Sequence, residues 1–160
     1  AAIAHATSKI STRPDLLNVC SLGFRGEALH SIAQLAQLEV CSRPAERATA
    51  ASQGYQVSYG AEGECTQVKE VALAPGTIVT AHNLFHSWQA RRHVPTLAQQ
   101  TKAVRQLIQQ IALCHPSVTW QIEKNDAPWL TLWPGPTAKT LMPQMLRNVS
   151  TSDIAELDTQ

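Results

Sequence analysis

In two stretches between Leu38 and Ala81, at 38–42 and 55–59, residue character alternates at every second position, a period that strands satisfy and helices do not. Leu38, Val40 and Ser42 alternate with Glu39 and Cys41, and Tyr55, Val57 and Tyr59 alternate with Gln56 and Ser58. Gly60-Ala61-Glu62-Gly63 reads as a turn, with Cys65 to Val71 as the returning strand of a hairpin. Ala74-Pro75-Gly76 reads as a second turn before the β-branched strand Thr77 to Ala81. Successive side chains of a strand face opposite ways, and short turns make neighbours antiparallel, so this stretch predicts a sheet with one apolar face. Residues 44–53 show no clear face and read as a loop.

On both sides the period becomes helical. From Glu27 to Leu38, Leu29, Ile32, Ala33 and Ala36 recur at helical spacing. From Thr96 to Cys114, Leu97, Val104, Leu107, Ile108 and Ile111 mark one face, which reads as core, and His115-Pro116 ends the helix. Val118, Trp120 and Ile122 form a strand, Asn125-Asp126 turns it, and Pro128 to Trp133 returns. Trp120, Trp129 and Trp133 read as core packing against the long helix, ahead of base stacking. Ala138 to Arg147 reads as a helix that Pro143 must kink or restart. Near the start, residues 1–14 read as a loop, and Asp15-Leu16-Leu17 as a short turn capped by Asp15. The last residues, with Asp153, Glu156 and Asp158, read as a frayed end or the start of a next unit. The order predicts an α+β layered sandwich, mostly antiparallel with helices on one face, rather than a doubly wound sheet.

Composition narrows the functions. A chain of 160 residues buries roughly 70% of its unfolded surface, which suffices for one real core. Thirteen Lys+Arg against twelve Asp+Glu give a formal charge of +1, which argues against a dedicated basic nucleic-acid module. No apolar run approaches the ~20 residues of a membrane span, and residues 1–11 lack the pattern of a signal peptide, so a soluble cytoplasmic protein is expected. Cys20, Cys41, Cys65 and Cys114 include no Cys-x-x-Cys pair, and reduced, mostly buried thiols are expected. His82, His86 and His93 share no helix face and lack a nearby carboxylate, so no metal site is assigned to them. No Ser/His/Asp or Cys/His constellation appears, and Ser21 lacks a Gly-x-Ser-x-Gly frame. The chain starts at Ala1 and its first Met is Met142, which fits either removal of an initiator Met or a piece cut from a longer protein.

Gly23-Phe24-Arg25-Gly26-Glu27-Ala28-Leu29 carries the chemistry. Two glycines bracket a bend from which a helix starts, and glycine lets a ligand approach the bare backbone. The first amides of a helix lack internal acceptors and carry the positive end of its dipole, which makes a phosphate site. The competing reading is a tight loop-to-helix turn that binds nothing. His5-Ala6-Thr7-Ser8-Lys9-Ile10 lies just upstream, with hydroxyls and a cation suited to a mobile lid over a nucleotide. As composition alone it is also an ordinary solvated loop.

His5-Ala6-Thr7-Ser8-Lys9 followed by Ser21-Leu22-Gly23-Phe24-Arg25-Gly26-Glu27-Ala28-Leu29 closely resembles the MutL family of DNA mismatch-repair ATPases, members of the GHKL group. Pro75-Gly76-Thr77-Ile78-Val79-Thr80, Asn83-Leu84-Phe85 and Ala90-Arg91-Arg92 fall where that family has its Gly-Thr strand, Leu-Phe loop and Ala-Arg-Arg. The resemblance runs from Ala1 to about Leu146, and Ala28-Leu29-His30-Ser31-Ile32-Ala33-Gln34-Leu35 resembles bacterial members. It implies part of a Bergerat-type (GHKL) two-layer sandwich. Residues 1–137 would be the C-terminal part of the ATPase domain, and 138–160 the junction to a transducer-like domain. Thr7, Ser8 and Lys9 would belong to the ATP lid, and Gly23, Phe24, Arg25, Gly26, Glu27, Ala28 and Leu29 would wrap the triphosphate. Thr77 would sit near adenine. Neither Arg25 nor Glu27 is assigned a catalytic role, and the two have a structural reading as a pair that fixes the loop. The implied cofactors are ATP and Mg2+. The implied partners are a second copy of the parent, the mismatch-recognition protein MutS, and DNA held weakly and without sequence preference.

The departures are specific. Ser87 and Gln89 stand where the family loop has Asn and Pro, and Ala4 stands where an Arg often precedes the lid His. Arg91-Arg92, flanked by His86 and His93, reads first as an ion-paired loop and second as a contact to DNA phosphates. The family's water-activating glutamate and its Asp-x-Gly-x-Gly lie before the lid. Nothing before Asp15 is acidic, and no Asp-x-Gly occurs in the 160 residues. These residues by themselves are therefore expected not to hydrolyse ATP, since losing a general base costs ~10²–10⁴ in rate. A piece lacking the upstream part would leave one face of its sheet exposed. The alternative function is a non-catalytic α+β binding module that keeps only the scaffold.

Overall fold

The computed structural model describes residues 2–19, 23, 25–45, 53–86 and 95–155. The chain divides into two compact units, Ala1–His93 and Val94–Gln160.

In the first unit, helix α1 (Ala28–Leu35) runs into strand β1 (Gln37–Arg43). Strands β2 (Gly54–Tyr59), β3 (Cys65–Val71) and β4 (Gly76–His82) complete a fully antiparallel sheet of order β3-β2-β1-β4. The pairings place Val79, Val40, Val57 and Val68 in one row across all four strands. α1 packs Leu29, Ile32 and Ala33 against Leu38, Val40 and Tyr59, and Ala2 is fully buried in the same cluster. The outer members of the valine row, Val79 and Val68, stay half exposed at 51% and 56%. The helix is shorter than the expected 27–38, because Ala36 has extended backbone (φ −145°, ψ 163°) and its successors join β1. Sheet pairing overrides a helical period that continues to Ala36.

Upstream, Pro14–Leu17 forms a single 3-10 turn with Pro14 in its first position. Asp15 does not cap it. Its carboxylate accepts backward from the Ser11 and Thr12 amides at 2.9 and 2.8 Å.

The second unit holds α2 (Leu97–Cys114), the hairpin β5 (Trp120–Lys124) and β6 (Ala127–Leu132), and α3 (Ala138–Met145). Thr96 opens α2 with a capping box, its hydroxyl taking the Gln99 amide while the Gln99 side chain takes the Thr96 amide. Asn125 and Asp126 both have positive φ (53° and 59°), the backbone that a two-residue hairpin turn requires. α3 runs through Pro143, whose missing N–H leaves the Lys139 carbonyl without its helical donor. A second box, Ser150 with Asp153, opens the 3-10 turn Thr151–Asp153, while Glu156 and Asp158 lie outside the described residues.

Ala112, Leu132 and Leu141 are fully buried, with Ile108, Leu113, Trp120, Leu130 and Met145 around them. The apolar stripe of α2 is therefore not all core. Ile108 and Ala112 are covered by the hairpin and α3, while Leu97, Val104 and Leu107 remain exposed. Over Trp129 lies the Arg105 guanidinium, 5.1 Å from the ring centroid, and Trp133 is 60% exposed rather than packed. Cys41, Cys65 and Cys114 are free thiols, but Cys65 and Cys114 are exposed instead of buried.

This division of α2 is testable. Leu132→Ala should cost about 2–5 kcal/mol of unfolding free energy by leaving a cavity, whereas Leu107→Ala should stay within about 0.5 kcal/mol. Urea unfolding of the two variants against the parent chain measures both; equal losses would contradict the assignment.

Candidate functional site

The N-terminal segment reaches the sheet through Ala2. The carbonyl of Ala2 lies against Gly63 (φ +77°) in the β2–β3 turn, where an added Cβ would stand 2.6 Å from the Ala2 carbonyl carbon. On its other side, His30 Nδ1 donates to the Ala2 carbonyl at 3.1 Å. Gln34 Nε2 donates to His30 Nε2 at 3.1 Å, which fixes the tautomer that leaves the Nδ1 proton for Ala2. The chain then turns with the Ala6 amide donating to Ile3 O at 3.2 Å and His5 in the left-handed region (φ +59°). The Lys9 amide donates to Thr7 Oγ1 at 3.1 Å and closes a local hydroxyl turn.

This segment lies directly on the glycine loop. Gly26 has φ +69°, and a Cβ there would sit 2.7 Å from Ala6 C and 2.9 Å from Ala6 N. The protein's own backbone by itself requires glycine at this position. Gly23 is the opposite case, because a Cβ there meets nothing within 4 Å among the described residues.

Between the two segments lies an open cleft of about 630 Å³, lined by Ala6, Thr7, Ser8, Gly23, Gly26, Glu27, Ala28 and Leu29. Glu27 is the N-cap residue of α1, yet its side chain makes no capping bond. Its carboxylate takes Arg25 Nε at 2.9 Å and His5 Nδ1 at 3.2 Å. The Ser31 amide donates to Glu27 O as the first internal bond of α1, so the amides of Ala28, Leu29 and His30 have no acceptor within the helix. The positive end of the helix dipole and its unshared donors thus face a cleft rimmed by hydroxyls.

Seven of the residues nominated from sequence, Thr7, Ser8, Gly23, Gly26, Glu27, Ala28 and Leu29, line this cleft. Lys9 is exposed beyond its lining, and Arg25 is turned to Glu27, the pairing anticipated from sequence. Phe24, Arg91 and Arg92 lie outside the described residues, as do Ser87 and Gln89. Thr77 is not brought to the cleft. It pairs with Ser42 at the end of β1 away from α1, and their hydroxyls share a hydrogen bond of 2.8 Å. Ala6 and His5 are the residues sequence reasoning passed over. Ala6 contributes only backbone, and the place of His5 depends on a turn that residue types do not announce. The Leu-Phe loop fastens the far end of α1, where the Phe85 amide caps Leu35 O at 2.6 Å and Asn83 Nδ2 donates to Gln37 Oε1 at 2.7 Å. Among the described residues, no three His, Cys, Asp or Glu side chains gather as a metal site would need, and no helix is long and apolar enough to cross a membrane.

Behind the cleft, the two amide bonds to Asp15 hold its carboxyl below the ordinary aspartate value of 3.8. A depressed carboxyl stabilises the loop above its unfolded pKa, and that contribution is lost as pH falls through the folded value. The Ser11 and Thr12 amide shifts, followed by NMR during acid titration, should move with a midpoint below 3.8. A midpoint at or above it would remove the assigned bonds.

No protein-family model matches the chain. Among curated proteins it is 52% identical over 158 residues to the DNA mismatch repair protein MutL of Trichormus variabilis, covering 98% of this chain and 27% of that protein. To MutL of Rippkaea orientalis it is 45% identical over 154 residues, covering 96% of the chain and 27% of the relative. The chain therefore spans about a quarter of the length of these relatives. Among solved structures, the N-terminal domain of a DNA repair protein superposes with a TM-score of 0.61 at 25% identity, covering 89% of this chain and 43% of that one. The Aquifex aeolicus MutL ATPase domain complexed with ADP superposes with a TM-score of 0.64 at 21% identity, covering 84% of this chain and 51% of that domain, and shares its fold. The α+β, mostly antiparallel architecture read from the sequence is thus the one found. With about half of its residues identical to MutL proteins along nearly its whole length, and the fold of the Aquifex ATPase domain, the chain belongs to the MutL family.

Proposed function

We propose that this chain is the lid and triphosphate-binding part of a MutL-type ATPase of DNA mismatch repair. The observation that carries the reading is the cleft itself: the uncapped first turn of α1 faces Thr7 and Ser8 across open space, with Gly23 leaving room at the loop. Two further findings support it, the MutL name of the relatives and the ADP bound to the Aquifex domain.

On this reading the backbone of Gly23, Phe24, Arg25, Gly26, Glu27, Ala28 and Leu29 holds the phosphates of ATP. Thr7, Ser8 and Lys9 close over them, two as hydroxyl donors and one as a counter-charge. Thr77 serves the adenine side. When bound, ATP supplies the anionic oxygens these donors are arranged to meet, and the chain's own part is to bind, orient and exclude water. The described residues do not fit Mg2+ by themselves, because Glu27 is the one carboxylate in the lining and it is committed to Arg25 and His5. Catalytic groups are assigned to none of these residues. The water-activating glutamate and the Asp-x-Gly-x-Gly belong, on the same reading, to the remainder of the ATPase domain. On the same reading the parent dimerises on binding ATP, engages MutS, contacts DNA through Arg91 and Arg92 of this chain, and is cytoplasmic. Residues 1–137 are then the C-terminal part of the ATPase domain and 138–160 the junction that follows.

One observation favours a second reading, a binding module without nucleotide chemistry: the close approach of Ala6 fully accounts for Gly26.

Substitution at the two glycines separates these readings. In a protein carrying the glutamate and Asp-x-Gly-x-Gly segments as well, Gly23→Val should weaken ATP binding by at least about tenfold, a loss of some 1.4 kcal/mol, with little change in thermal stability. Gly26→Ala should instead lower the melting temperature, because its Cβ meets backbone. Isothermal titration with a non-hydrolysable ATP analogue and a melting curve give both numbers. Unchanged affinity in Gly23→Val would refute the cradle.

A further inference from the structure

We propose that Glu27 and His5 are positioning residues that bridge the lid segment to the glycine loop and keep the first amides of α1 free, an inference that rests on the nucleotide reading of this cleft. A carboxylate at the start of a helix is drawn to that helix's first amides, yet Glu27 makes no such bond. Its two oxygens go to different partners, Oε2 to Arg25 Nε at 2.9 Å and Oε1 to His5 Nδ1 at 3.2 Å.

The Arg25 contact is local, two residues away along the loop. The His5 contact joins segments 22 positions apart (27 − 5 = 22) and meets the lid where its backbone is least ordinary. His5 has φ +59°, a region that side-chain-bearing residues visit rarely and keep only when their surroundings hold them there. Ala6 next to it is held twice, by its amide on Ile3 O and by its contact with Gly26. Of the neighbouring titratable groups, His30 is committed to Ala2 and Gln34, and Asp15 accepts from Ser11 and Thr12.

His5 and Arg25 are mostly exposed, with side chains 77% and 72% accessible. Such a pair adds little to global stability. It acts instead on a local equilibrium, the seating of residues 5–8 on the loop, which opens without unfolding the sheet. A second effect follows from the same carboxylate. Releasing it from His5 frees an oxygen beside the amides of Ala28 and Leu29, where it competes with any incoming anion. Removing the His5 ring alone should therefore harm anion binding more than removing the ring and the Glu27 carboxylate together.

A double-mutant cycle tests this. The variants are His5→Asn, which tolerates the left-handed backbone, Glu27→Gln, and the two combined. In the full chain without nucleotide, amide hydrogen exchange of residues 3–9, read by mass spectrometry, should quicken about two- to fivefold in each single variant, the range of one exposed ion pair. The double variant should quicken no further. Effects that multiply in the double variant, or no change in any variant, overturn the bridge. Affinity for the ATP analogue in the extended protein should be lower in His5→Asn than in the double variant; the reverse order overturns the competition. Because exchange is read without nucleotide, a coupled cycle upholds the bridge even where the extended protein fails to bind ATP, and that failure counts against the nucleotide reading alone.

Discussion

The approach of the Ala6 backbone to Gly26 is the constraint on which the site rests. Two peptide segments without a side chain between them come close enough that a single methyl group would be excluded. That closeness sets the width of the cleft, since Thr7 and Ser8 follow Ala6 on one wall and Ala28 and Leu29 follow Gly26 on the other. The two residues bracketing the contact adopt positive φ, His5 at 59° and Gly26 at 69°. For glycine that backbone costs little, and for histidine about 1–2 kcal/mol. The contact is therefore asymmetric: the loop side accommodates it freely and the lid side is held.

What holds the lid side is the sheet. Ala2 is buried between Gly63 of the β2–β3 turn and His30 of α1, so the hairpin, the helix and the N-terminal segment meet at one carbonyl. The other end of α1 is fastened as well, by the Phe85 amide on Leu35 O. A helix of eight residues is too short to be stable by itself, and this one persists because both ends and its apolar face are engaged. The first turn alone is left without a side-chain cap, and that turn faces the cleft.

Much of this was legible in the sequence, and the part that was not has a common cause. Alternation at residues 38–42 and 55–59 gave both strands and their faces, and Asn125-Asp126 gave the hairpin turn, because these signals are local. The motif from Gly23 to Leu29 located the cleft by residue type. Periodicity, however, records which face of an element is apolar and says nothing of what covers it. Leu97, Val104 and Leu107 fit the stripe of α2 as well as Ile108 does, yet only Ile108 packs on the buried cluster while the other three stay exposed. Val79 and Val68 likewise match Val40 and Val57 in the row but lie beyond the reach of α1. Asp15 has the residue type of a cap and instead bonds backward, a choice decided by the course of residues 11–12. Gly26 stands out in the sequence, but its neighbour does not, since backbone-to-backbone proximity across 20 positions (26 − 6 = 20) leaves no trace in composition.

The charge at the cleft follows from the same geometry. A carboxylate at the mouth of an anion site opposes its ligand, and a carboxylate at a helix N-cap competes for the same amides. Glu27 stands in both places, yet its oxygens are turned to Arg25 and His5. Pairing with the guanidinium balances its charge locally, so what remains toward the cleft is the dipole of α1 and the hydroxyls of Thr7 and Ser8. Lys9 stays exposed outside the lining, so its ammonium adds no fixed charge to that wall. The wall is thus near neutral in formal charge, and the dipole of α1 gives it its polarity. The contact of Ala6 with Gly26 fixes this arrangement, because it sets where Thr7 and Ser8 stand relative to the first turn of α1.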